Sequence, residues 1–544
     1  MPSHQKPTSR KHTLKHPNKS LCTQAHLQIS RTIPRYIIQK YQSSISRGIN
    51  KFISNHKSKL QHLLDTAFNI QSTNSPNSTE TETTHTTHFR VGCRHLNLAD
   101  DPEAAAFKIP SFIDIFRHLI TLPAITKQLT SEELAELTRI LSLATKHDIY
   151  KSLHHSPVGN RLALVYTSVA PQIDLTSWFP TTDFHALLFN SFTSYTILEQ
   201  IESQMNHVSI CTLNYAGRDY PNFLYIFHHS RPGVSKTTRT GILDTLEINQ
   251  IAENILRRVV FLGDVIDSPA LPNRLIIFLT DAKKEIDDAL EHQRHFRTVN
   301  VNTAVTNMHD IIIYRREEVY KSVFHELIHF HNLDFKRLPP EITQMALDYL
   351  QRTHNISPEN EYLLYEAITE SLANTLNAVY LSSTNSDKGS IKEFRNNLSR
   401  EILFSTFQVA KILQTCGYNN WDEFILLDKK KDNSRKQWRQ DSCVFSYYVL
   451  KLYILLNLDE YWTHLLDGKL KFQTSKNNIS NLLDIFELGR NNPELKKIMN
   501  ALLLADSNGK SRVSRMSSKK TKTQKNKMKK LMINKTLRMT CLDG

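Results

Sequence analysis

Two histidines stand four residues apart in Lys321-Ser322-Val323-Phe324-His325-Glu326-Leu327-Ile328-His329. On a helix, residues four apart lie ~40° apart on one face, one turn above the other. Two imidazoles so placed can share one metal ion, and zinc, held ~2.0–2.1 Å from each nitrogen, suits them. Glu326, at the edge of that face, can take a proton from an activated water without being a ligand. Val319, Val323, Phe324, Leu327 and Ile328 give the same helix an apolar stripe beside the histidines. In a chain with 25 histidines, two ordinary histidines on an amphipathic helix would give the same pattern. The reading therefore turns on a third ligand.

That ligand is expected on a second helix. Ser357 and Pro358 have the types of an N-cap and a first helical residue, and the helix is expected to run from Glu361 to about Tyr380. Glu366, Glu370, Asn374 and Asn377 form a polar stripe at helical spacing, opposite Leu364, Ile368, Leu372 and Val379. Glu366 is the expected third ligand. Glu370, one turn on, is expected to hold the far ring nitrogen of His325 or His329 and so set its tautomer. The plain alternative is that this stripe faces solvent. Glu341, Asp334 and Asp348 are next in line as ligands. Tyr362, Tyr365, Tyr447 and Tyr448 are candidate donors to the oxyanion of a tetrahedral intermediate. His331 is expected to point away from the pair, and His228-His229 to lie at the surface. Arg315, Arg316, Glu317 and Glu318 are expected to tie a strand to the helix by ion pairs.

The motif followed by Glu366-Ala367-Ile368-Thr369-Glu370 on a separate helix resembles the gluzincin clan of zinc peptidases. The resemblance implies Glu366 as a ligand and Glu370 as a partner of a ligand. A metzincin is excluded, because Phe330-His331-Asn332-Leu333-Asp334 follows His329 and no G-x-x-H does. A narrower resemblance, over residues 270–460, is to predicted metallopeptidases of large eukaryotic DNA viruses. It rests on Ile311 to Glu318, Lys321, the H-E-x-x-H, Leu333-Asp334-Phe335, and Val444 to Tyr448 with Leu450-Lys451. It implies no particular substrate.

The elements that must position these residues can be read coarsely. Strand-like runs are Phe223 to Phe227, Leu275 to Leu279 and Ile311 to Tyr314, and a helix is expected to begin at Ser131. After residue 340 the pattern is almost wholly helical. The expected class is α+β and zincin-like: a small twisted sheet over an active-site helix of about Glu317–His331, then a mainly helical part over 340–505. Either Val299–Thr306 or Ile311–Tyr314 is expected to align a peptide by strand addition.

Composition bounds the rest. The 544 residues carry only 13 glycines and no Walker loop or G-x-G-x-x-G, which excludes glycine-rich phosphate binding. Of 68 Lys and Arg, twelve fall in residues 1–60 and twelve in 510–538, and neither stretch holds an acid. The expected organisation is a basic region 1–70 with some helical patterning around Ile37 to Leu64, a disordered linker 71–88, a body 89–506 and a disordered basic tail 507–544, with both ends dispensable for folding. Six scattered cysteines suggest a reducing compartment without disulfides. No secretory signal and no membrane span are seen, so the cytoplasm, the nucleus or a virion is expected. The expected function is zinc-dependent peptide hydrolysis, with a peptide or protein substrate and nonspecific nucleic-acid contact through the basic ends. The rival is a structural or nucleic-acid-associated protein, for instance of a virion, with a degenerate zinc site.

Overall fold

A computed structural model describes residues 34–72, 90–107, 111–159, 161–162, 165, 193–229, 245–286, 295–306, 309–335, 338–360, 362–383, 390–426, 438–503 and 535–542. Its centre is a six-stranded mixed sheet in the order β1-β2-β3-β4-β7-β6. The strands are β1 (Arg90–Asn97), β2 (His207–Tyr215), β3 (Arg218–His228), β4 (Arg274–Phe278), β6 (Ala304–Thr306) and β7 (Asp310–Ile313). A small parallel pair joins β5 (His295–Phe296) to β8 (Arg439–Gln440). β1, β2 and β3 run antiparallel, β3, β4 and β7 run parallel, and β6 closes one edge antiparallel to β7.

Both faces of the sheet are covered, which explains the unbroken apolar runs in its central strands. Side chains alternate between faces. Leu275, Ile277, Ile311 and Ile313 enter one core, and Ile276, Phe278, Ile312 and Tyr314 the other. The second core lies under four short helices: α3 (Phe112–Leu119), α4 (Ser131–Leu141), α5 (Lys146–His155) and α6 (Tyr195–Gln204). The start expected at Ser131 is capped one residue earlier, by a reciprocal pair between Thr130 and Glu133.

The first core is larger and helical. It holds α1 (Arg35–Asn55), α2 (Lys57–Ser72), α7 (Thr245–Val265), α8 (Val319–Phe330), α9 (Pro340–Thr353), α10 (Leu364–Ser383) and α11 (Ile391–Cys416). A π-helical turn at Phe445–Leu450 leads into α12 (Lys451–Leu456), α13 (Leu458–His464) and α14 (Lys476–Arg490). The α+β expectation holds. The helix expected over about Glu317–His331 is α8, shorter at both ends. The expected helix start at Ser357 does not hold. Ile356 bridges to Trp438, the Ser357 amide donates to the Trp438 carbonyl, and the helix begins only at Leu364.

Both chain ends depart from the expected organisation. Within residues 1–70, Ile38, Tyr41, Ile45, Ile49, Phe52 and Ile53 form a buried stripe on α1. The Tyr41 hydroxyl meets Thr406 Oγ1 at 3.0 Å on α11. These helices belong to the main core, because their apolar stripe needs the partner surface that α11 and α13 supply. Residues 73–88 of the expected linker lie outside the described residues, and Gln71 and Ser72 end α2. Within 507–544, residues 535–542 are described and folded in: Leu537, Met539, Thr540, Cys541 and Leu542 are all buried.

Two smaller corrections concern cysteine and histidine. Cys93 and Cys211, directly opposite on β1 and β2, are joined as a disulfide, whereas Cys416, Cys443 and Cys541 are free and buried. His228 is 3% exposed at the end of β3, not at the surface. Burial pulls its ring down to about 3, with nearby histidines adding to the shift. No helix among the described residues is long and apolar enough to cross a membrane.

Phe52 is fully buried and meets the Trp462 ring edge-on at 5.0 Å, while Tyr36 on the same helix is 70% exposed. Phe52→Ala should lower unfolding free energy by about 3–5 kcal/mol. Tyr36→Ala should stay within about 0.5 kcal/mol of wild type. Urea midpoints at unchanged slope read both. Equal, small effects would detach the amino-terminal helices from the cooperative unit.

Candidate metal centre

α8 and α10 pack side by side and carry the site between them. His325 Nε2 and His329 Nε2 lie 3.1 Å apart. Glu366 Oε2, from the first turn of α10, lies 3.3 Å from the former and 3.5 Å from the latter. Each ring's other nitrogen is fixed by a carboxylate. His325 Nδ1 meets Glu370 Oε2 at 2.9 Å, and His329 Nδ1 meets Asp334 Oδ2 at 2.7 Å. A ring that donates from Nδ1 keeps its lone pair on Nε2. Three lone-pair atoms thus converge. Glu366 Oε2 is buried with no aligned donor, so its approach to the rings is contact without a hydrogen bond.

Ligand atoms ~2.0–2.1 Å from one tetrahedral centre stand about 3.3–3.4 Å apart. The observed separations of 3.1, 3.3 and 3.5 Å bracket that value. These three residues are also the cluster of metal-ligating types that the described residues bring together. The donor set therefore fits a zinc-sized cation.

The electrostatics point the same way. Burial alone would depress both imidazoles, yet the carboxylates facing them outweigh it, Glu366 and Glu370 at His325, Glu366 and Asp334 at His329. Both rings are raised, His329 strongly. Burial pushes the Glu366 carboxyl up, but His329 and His325 overcome it and hold it at about 2. Glu370 is driven lower still, its burial outweighed chiefly by Lys321, whose Nζ sits 2.8 and 2.9 Å from its two oxygens. The pocket is built to hold positive charge.

Glu326 is 5% exposed and lines the same cavity of about 350 Å³. Thr306 Oγ1 donates to its Oε2 at 2.6 Å. Ala304, Val305 and Thr306 of β6 form one wall of the cavity. Of the four tyrosines, Tyr365 and Tyr447 line it. Tyr447 sits on the π-helical turn, 6.0 Å from the His325 ring, and burial keeps its phenol protonated. The other two are excluded as donors. Tyr362 donates to the Ser357 carbonyl at 2.8 Å, and Tyr448 donates to the carbonyl of Leu537.

The polar stripe on α10 is not solvated: Glu366, Glu370, Asn374 and Asn377 are all buried. Asp334 serves as the partner of His329 instead of a ligand, and Thr369 Oγ1 steadies it at 3.1 Å. Its position five residues past His329 was the available signal. Glu341 and Asp348 lie together away from the site. His331 caps α8 and takes no part, its ring pulled down to about 4 by burial. The Arg315–Glu318 run makes the expected ion pairs only in part, to α7 and to the chain after β4. Arg315 holds the carbonyls of Asn302 and Val299 at 2.7 and 2.6 Å, Arg316 pairs with Glu247 at 2.6 Å, and Glu318 pairs with Lys284 at 2.6 Å. Met539 was not singled out from sequence, and neither the contact of Lys321 with Glu370 nor that of Thr306 with Glu326 was expected, because only folding brings these residues to the cavity.

Asp334→Asn and Glu370→Gln should each weaken zinc binding by roughly 10–100-fold. Competition against a chromophoric chelator measures this. The larger loss is expected for Glu370→Gln, which also strands the buried Lys321. Wild-type affinity in both would mean that packing alone orients the rings.

No family model matches the chain, and no solved structure matches it. An uncharacterised protein of Acanthamoeba polyphaga mimivirus is 28% identical over 158 residues, which span 28% of this chain and 37% of that relative. The chain is thus similar, over part of its length, to a protein of a large DNA virus.

Proposed function

We propose that the chain is a zinc-dependent peptidase of the zincin type, with His325, His329 and Glu366 holding the metal and Glu326 as general base. The observation that carries the reading is the convergence of those three ligand atoms beside Glu326, in a cavity walled by the last strand of the sheet. Zinc bound there would supply Lewis acidity, polarising a scissile carbonyl and bringing the pKa of a water towards ~7.

The chain's own residues do the rest. Among the described residues β6 pairs with β7 along one side only, so its other side can take an extended peptide by strand addition. Of the two strands considered from sequence, β7 is interior, paired on both sides, and cannot serve. Thr306 turns the Glu326 carboxylate by donating to Oε2. Glu326 takes the water's proton and returns it to the leaving amine. Tyr447 or Tyr365, both at the cavity wall, supplies a donor where negative charge develops on the carbonyl oxygen.

Three substitutions separate the roles, each read by zinc content and turnover of a peptide library. Glu326→Gln should keep zinc and lose turnover by on the order of 10²–10⁴. Glu366→Gln should lose metal affinity first. Thr306→Val should keep zinc and lower kcat by roughly 10-fold, the worth of one hydrogen bond to a charged group. Near-zero zinc in both wild type and His329→Ala would remove the enzyme reading and favour a structural or nucleic-acid-associated role. Zinc without turnover in the wild type would leave a binding protein.

A further inference from the structure

We propose that the carboxyl-terminal segment Leu537–Leu542 is a working wall of this site, and that Met539 sets which substrate side chain the cavity admits. The proposal deepens the peptidase reading and rests on it. The segment returns to the body beyond residues that lie outside the described ones, and it reaches the cavity from the side of α8 that precedes His325. Met539 is in the cavity wall, and its Sδ lies 3.7 Å from Lys321 Nζ.

The main chain on both sides of Met539 is fastened to buried charges of the body. The amides of Met539 and Thr540 both donate to Glu318 Oε1, the second at 2.6 Å. Thr540 Oγ1 and the Cys541 amide donate to Glu401 Oε2 at 2.8 and 3.1 Å. Lys451 Nζ donates to the Met539 carbonyl at 2.8 Å. Glu318, Glu401 and Lys451 are each no more than 1% exposed. A segment held this way fixes where the main chain of Met539 stands at the cavity.

The chemistry of the wall follows. Both ammonium groups that face the cavity are paired with carboxylates, Lys321 with Glu370 and Lys284 with Glu318. What Met539 adds is a flexible, polarisable thioether. The pocket therefore takes a medium-sized uncharged side chain, such as that of leucine, methionine or glutamine, and disfavours acidic and basic ones.

The test uses the full-length chain loaded with zinc, as wild type, Met539→Ala, Met539→Trp and Met539→Leu. A peptide library read by mass spectrometry gives relative kcat/KM. Hydroxamate-capped dipeptides bearing Ala, Leu, Phe or Glu side chains give Kd without turnover. Wild type and Met539→Leu should share an order led by Leu, with Glu last. Met539→Ala should shift preference towards Phe, and Met539→Trp towards Ala, each by on the order of 10-fold or more. Zinc content should not change. If the wild type binds the hydroxamates in this order but cleaves nothing, the peptidase reading fails and the pocket assignment stands. The same order of preference in wild type and Met539→Ala, or a wild-type preference for Glu, would overturn the assignment. Should Met539→Trp not fold, the Ala and Leu variants decide alone.

Discussion

A carboxylate leaves water only where cations and donors replace its hydration. Glu370 is the point at which this protein meets that condition most tightly. It is fully buried, both its oxygens accept from the Lys321 ammonium, it fixes His325 Nδ1, and Lys451 lies 3.9 Å away. Lys321 stands one turn ahead of His325 on α8, so a single carboxylate from α10 can reach both. That contact sets how closely α8 and α10 approach. It also sets which ring nitrogen of His325 faces Glu366, and so the converging geometry of the three ligand atoms.

The same demand recurs around it and explains why distant chain segments meet there. Glu318, at the amino-terminal end of α8 in a left-handed conformation (φ 64°), is fully buried and answered by Lys284 and two backbone amides of the carboxyl-terminal segment. Glu401 on α11 is answered by the next residues of that segment and by Asn374 at 3.1 Å. An unanswered buried carboxylate would cost several kcal/mol. The segment is therefore part of the folded unit although a long basic stretch precedes it. The amino-terminal helices join for a different reason: α1 covers apolar surface on α11 and α13, and α2 covers it on α10 and α7.

The sheet serves the site from the other side. Its parallel centre, buried on both faces, anchors the start of α8 through the run from β7 to Glu318. Its antiparallel edge strand β6 forms the cavity wall and places Thr306 on Glu326. Arg315 holds the approach to that strand by its carbonyls, so strand, helix and Glu326 are set by one short stretch of chain.

What the sequence by itself determined was local and periodic. The spacing of His325 and His329, the adjacency of Glu326, and the i,i+4 pair of Glu366 and Glu370 are properties of a helix, and a helix repeats its geometry wherever it sits. The three central strands and the α+β class were legible for the same reason. Tertiary structure decided everything that depends on which surfaces meet. It turned the α10 stripe inward, gave Asp334 to His329, brought Tyr365 and Tyr447 but not Tyr362 and Tyr448 to the cavity, and put β6 at the edge of the sheet with β7 inside it. Both basic ends looked like tails because charge and low apolar content mark chain that cannot fold on its own. Yet α1 carries an apolar stripe among its cations, and residues 537–542 offer main-chain donors that composition does not display. Their burial is driven by partners hundreds of residues away, and no local pattern records a partner.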